Sequence, residues 1–187
     1  MLIDASHGSR RGPITRVEPG ANVQVRDLHR PCMEEPVVYT RFIPYLDRYV
    51  RVRLKDDVVT QLDFPEVVTS EEGEEHELLD RLETYFTGTV ADNFDNVQLD
   101  PNVTEPRAAV LNIVRAIPYG EEFTVNQLVK AIAEQGDAEP PDSTMVREAL
   151  AANPLPILIP DHRVSDGPSG APPIVEQRLR SLEQHGG

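Results

Sequence analysis

The stretch Asn153-Pro154-Leu155-Pro156-Ile157-Leu158-Ile159-Pro160-Asp161-His162-Arg163-Val164 decides the fold. Three prolines bracket an apolar, strand-like run, and the last of them delivers Asp-His-Arg. A rigid, buried segment that ends in ionisable groups is one way to fix a reactive side chain in a cleft. The bland reading of the same residues is a buried connection whose His162 and Arg163 only tie helices together. Spacing alone does not separate the two.

Working outward, the residues before this stretch read as short helices. Thr104 is expected to cap a helix that tolerates Pro106 in its first turn, with Val110, Ile113, Val114 and Ile117 as its apolar stripe. Pro118-Tyr119-Gly120 breaks it. Thr124, with Gln127 three residues later, has the form of a capping box, and Val125, Leu128, Val129 and Ile132 continue as one face up to Gly136. Asp142 or Ser143 caps the next helix, which carries Val146, Ala149 and Leu150 and stops at Asn153-Pro154. Two capped helices across a connection suggest a helix-turn-helix or winged-helix arrangement.

Further upstream the period changes. Val50, Val52 and Leu54 alternate with Arg51 and Arg53, the mark of a half-buried strand. Asp56-Asp57 makes a turn into a returning strand, Val58 to Phe64, and Val37 to Ile43 is a third. Glu71–Glu75 reads as a solvated acidic loop. Beyond it, Leu78, Leu79, Leu82, Tyr85 and Phe86 share one helical face. Residues 1–36 are a polar leader expected to be disordered, with Met33 as the natural start and Cys32 outside any core.

Composition narrows the class. The chain has 187 residues, 18 basic against 32 acidic groups and a net charge of −14. Only Lys55 and Lys130 are lysines. Acidity is concentrated in residues 33–105, which hold 6 basic and 18 acidic groups, whereas residues 106–187 hold 7 and 11. Dense carboxylates with little lysine fit a salt-adapted, haloarchaeal proteome; a basic partner or nucleic-acid mimicry is the functional alternative. The single cysteine closes no intramolecular disulfide, and no apolar run spans a bilayer, so a cytoplasmic monomer without membrane contact is expected. The five histidines lack ligand spacing, so neither metal nor cofactor is expected.

The sequence Ile117-Pro118-Tyr119-Gly120-Glu121, then Asn153-Pro154 and the run through Val164, resembles the O6-alkylguanine-DNA alkyltransferase (methylated-DNA–protein-cysteine methyltransferase) family. The resemblance covers about residues 37–185. It implies an α+β fold: a small N-terminal α/β, ribonuclease H-like domain at 37–103, and a helical, winged-helix-like DNA-binding domain at 104–187. It also implies double-stranded DNA with alkylated guanine as partner, together with another repair protein. In the family a cysteine accepts the alkyl group from a flipped-out guanine. Here Asp161 stands in that position, with His162 and Glu183 at the supporting ones. DNA contacts are implied for Thr144, Arg147, Asn153, Arg163 and Tyr119. Thr144 aligns with the family's base-replacing arginine, Val125 with a tyrosine, and Ser165–Pro172 with a longer glycine-rich loop.

Three functions follow as expectations. The first is a non-catalytic member, similar to the alkyltransferase-like proteins, that recognises the lesion without methyl transfer. The second is an interaction or scaffold protein that has lost DNA binding. The third is an active enzyme with an altered acceptor, against which Asp161 reads as a cap or as an ion-pair partner of His162 or Arg163.

Overall fold

Alternation places Val50, Val52 and Leu54 on one side of a strand, and all three are buried in the core. The computed structural model describes residues 35–69, 72–135 and 141–185. Expectations for the leader, for Cys32 and for Gly136 lie outside the described residues. The described residues fall in one compact unit.

Strands β1 (Val37–Ile43), β2 (Arg48–Lys55) and β3 (Val58–Asp63) make an antiparallel sheet in that order. Asp56 and Asp57 both have positive φ, 52° and 62°, as a two-residue turn with the twist of its strands requires. The register slips between Arg53 and Leu54, so β3 carries a bulge around Thr60. Arg51 and Arg53 occupy the face opposite the core, where they bond Asp63 at 2.9 Å and Gln61 at 2.7 Å.

Helix α1 (Glu77–Phe86) lays Leu78, Leu79, Leu82, Tyr85 and Phe86 into the core. The acidic loop before it differs from the expected solvated connection. Gly73 bridges β1 through Thr40 N–H to Gly73 O (2.7 Å) and Gly73 N–H to Val38 O (3.0 Å). Glu72 turns inward, accepting from the Thr40 hydroxyl and lying 3.5 Å from Arg51. Unpaired strand-edge groups and a facing arginine draw this backbone in.

The second half holds α2 (Arg107–Arg115), α3 (Val125–Gln135), α4 (Ser143–Ala151) and α5 (Pro173–His185). Helix α2 begins at Arg107 after Pro106, with no side-chain cap, so Thr104 does not play the expected role. The capping box at α3 forms in both directions: Thr124 N–H donates to Gln127 Oε1 at 2.7 Å, and Gln127 N–H to Thr124 Oγ1 at 3.3 Å. Asp142 caps α4 by accepting from Met145 N–H at 2.8 Å. Helices α2, α3 and α4 pack on one another, which gives the helical C-terminal half expected. Backbone bonds join the halves: Leu62 N–H reaches Pro154 O at 2.8 Å.

Candidate functional site

The proline-bracketed run is a tight set of turns. Ile157, 2% exposed, sits at φ +78°, where a β-branched residue is rare and strained. Pro160 (φ −79°, ψ 69°) is the centre of an inverse γ-turn, closed by Asp161 N–H to Ile159 O at 2.8 Å. That turn feeds a single 3-10 turn, Asp161–Arg163, whose three side chains are all buried.

Asp161 is fully buried, beside the point where the chain leaves α4. Its Oδ2 accepts from Asn153 Nδ2 at 2.7 Å and from Gly170 N–H at 2.9 Å, and its Oδ1 accepts from the Ser169 hydroxyl at 2.6 Å. Burial raises its pKa above the ordinary carboxylate value; the bonds from Ser169, Gly170 and Asn153 oppose that shift. Its bonding partners are these three, not the expected His162 or Arg163. Gly170 is required by close approach, because a Cβ there would stand 2.3 Å from the carbonyl oxygen of Asn153.

His162 and Arg163 point into a second centre, built on Glu183 of α5. Glu183 accepts from Tyr85 OH (2.6 Å), Gly120 N–H (3.2 Å) and Arg163 through Nε (2.9 Å) and Nη2 (2.8 Å). Burial pushes its pKa up, but the bonds from His162 and Arg163 outweigh this and hold it well below the usual carboxylate range. An ionised Glu183 can only accept, so the 2.9 Å contact with His162 requires the proton on Nε2. His162 Nδ1 is buried with no partner among the described residues. Burial and the Glu183 charge raise Tyr85 well above the usual phenol value. The Arg163 guanidinium also donates to Ile117 O and to Asn93 Oδ1, and lies 5.7 Å from the centre of the Tyr119 ring.

Of the residues expected to face DNA, Thr144 and Arg147 are exposed on α4. Tyr119 is half-buried. Asn153 (4% exposed) and Arg163 (3%) are interior, with their polar groups spent on Asp161 and Glu183. Arg147 donates to Asp166 O and lies 3.4 Å from its carboxylate, while Arg115 bonds the carbonyls of Asp95 and Val97. Arg115, Arg147 and Arg163 thus make three separate attachments rather than one cationic face. Sequence reasoning missed Ser169 and Gly170 as partners of Asp161, and Tyr85 as a partner of Glu183. A serine in a Pro/Gly loop carries no local signal of such a role. Among the described residues no group of three potential metal ligands occurs, and no helix is long and apolar enough to cross a membrane.

Residues 105–182 match the DNA-binding domain of the 6-O-methylguanine DNA methyltransferase family. The methylated-DNA–protein-cysteine methyltransferase of Methanopyrus kandleri is 37% identical over 113 residues, 59% of this chain and 80% of that protein. Its namesake in Methanosarcina acetivorans is 39% identical over 84 residues, 45% of this chain and 49% of that protein. Among solved structures, the Mycobacterium tuberculosis OGT in complex with DNA superposes with a TM-score of 0.63 at 22% identity, covering 80% of this chain and 93% of that one. The sequence match over most of the M. kandleri protein settles the matter: the chain belongs to the O6-methylguanine DNA methyltransferase family.

Proposed function

We propose that this chain engages double-stranded DNA carrying alkylated guanine without taking up the alkyl group. The carrying observation is Asp161. It stands in the Pro-x-His-Arg-Val sequence where the family's acceptor cysteine is expected, and it is fully buried with both oxygens bonded. Alkyl transfer to an acceptor rewards a soft thiolate. A carboxylate that already accepts three hydrogen bonds is a hard, delocalised and occupied base. The chain's single cysteine, Cys32, is remote in sequence from the Asp161–Arg163 turn.

DNA contact is assigned to α4, whose Thr144 and Arg147 are exposed. Support comes from the relative solved in complex with DNA, which shares this fold. The charge of −14 with only two lysines supports origin in a high-salt cytoplasm, where shape and base contacts carry more of the affinity than phosphate contacts do.

A second reading has its own observation. Arg115, Arg147 and Arg163 are each engaged within the protein, which favours a scaffold that no longer binds DNA. A salt-series titration of duplexes with and without O6-methylguanine separates the two. Tighter binding of the lesion duplex is expected; no binding to either duplex would select the scaffold. Mass spectrometry after incubation should find no methyl adduct, and a stoichiometric adduct would overturn the non-transferring reading.

A further inference from the structure

Among the described residues, no arginine or lysine pairs with the buried Asp161. A carboxylate without a cation stays buried only where donors replace its hydration. Here a side-chain amide, a hydroxyl and a backbone N–H converge on it from two pieces of chain, the α4 exit and the 165–172 loop. Each donor is held independently of Asp161. Asn153 Oδ1 accepts from Leu155 N–H at 3.0 Å, and its Nδ2 also reaches Ile159 O at 2.9 Å. Ser169 Oγ accepts from Ala171 N–H at 3.0 Å. Gly170 lies too close to the Asn153 carbonyl to admit any side chain. Each piece of chain therefore keeps its local shape without Asp161, and the Asp161 carboxylate is the hydrogen-bonded link between the two.

We propose that Asn153, Ser169 and Gly170 form a carboxylate-binding cradle, that Asp161 is its built-in ligand, and that this ligation holds residues 165–172 shut across the Pro160–Asp161 turn. With the carboxylate in place every donor is spent, so a polar group arriving from outside finds none of them free. With the carboxylate removed, the cradle becomes a site for a small external monocarboxylate. This goes beyond the DNA reading and does not depend on it.

The test is chemical rescue on the full chain. Asp161→Ala leaves room for formate, and Asp161→Gly leaves room for acetate. In chloride, each variant should melt about 5 °C below wild type, because the buried Asn153 amide and the less buried donors of Ser169 and Gly170 lose their acceptor. At matched ionic strength, formate should raise the melting temperature of the Ala variant saturably, acetate that of the Gly variant, and neither should move wild type. Variants that melt with wild type, or anions that act alike on wild type and variants, would overturn the proposal. So would the absence of rescue. If a truncated variant does not fold in chloride, folding in its matching carboxylate buffer supports the cradle. Should neither truncation fold in any buffer, Ser169→Ala decides. It keeps Asp161, and amide exchange at Gly170, whose acceptor is the Asp161 carboxylate itself, should speed up by about tenfold or more. Unchanged protection there would remove the latch.

Discussion

Glu183 gathers donors from α1, the α2–α3 turn and the Asp161–Arg163 turn onto one carboxylate. Removing the charge leaves the Arg163 guanidinium buried and unpaired, a loss that usually exceeds that of an exposed ion pair several-fold. Glu183→Gln should therefore cost about 3 kcal/mol or more in denaturant titration; a change under about 0.5 kcal/mol, the size of an ordinary surface substitution, would show that Arg163 finds another anion. Gly170→Ala tests a different limit. Its Cβ would meet backbone rather than a yielding side chain, so a loss of about 2 kcal/mol is expected, read by the same titration. The family resemblance singled out Asp161, His162 and Glu183. What the motif hid was their grouping: Glu183 is 21 residues from His162 and on another helix, and Asp161 turns away from both to the loop.

At the scale of elements, the 165–172 loop is tied to the helix pair as well as to Asp161. Asp166 Oδ1 accepts from Val125 N–H at 2.7 Å at the start of α3, and Oδ2 lies 3.4 Å from Arg147 of α4. An arginine held by a carboxylate is a poor phosphate ligand. Asp166→Asn keeps an oxygen for Val125 and removes the charge. On the DNA reading it should tighten duplex binding and steepen the salt dependence by about one phosphate contact. Fluorescence anisotropy across a salt series reads both, and an unchanged slope would mean that Arg147 does not reach the phosphates. Local signals made these helices legible: the Thr124–Gln127 box and the Asp142 cap are decided within four residues. The start of α2 and the inward turn of Glu72 were not legible, since one depends on the Pro106 backbone and the other on an arginine of β2 more than 20 residues upstream.

Across the whole molecule, the two carboxylates pull the pH dependence of stability in opposite directions. Glu183 has a folded pKa far below its ordinary 4.5. As pH falls through about 4.5 the unfolded chain takes up this proton and the folded chain does not, so stability drops as pH falls. Asp161 has a folded pKa raised above its ordinary 3.8 by burial. The folded chain binds that proton first, so over the window between the two values stability rises as pH falls. The many other carboxylates of this −14 chain add an acid-side change of their own. Difference curves isolate the single groups. Subtracting the melting profile of Glu183→Gln from that of wild type should give a stabilising contribution that is full at pH 7 and shrinks below about pH 4.5. The same subtraction for Asp161→Asn should slope the other way, with the charged carboxylate relatively most costly at neutral pH. Glu183 also joins Tyr85 of the sheet-bearing half to Arg163 of the helical half. Removing its charge by Glu183→Gln should therefore lower the cooperativity of unfolding as well as the midpoint, whereas Asp161→Asn should leave cooperativity unchanged. Calorimetric and van't Hoff enthalpies of the two variants compared with wild type at pH 7 make that distinction. Equal calorimetric and van't Hoff enthalpies in Glu183→Gln would mean that the halves are held together by their apolar packing alone.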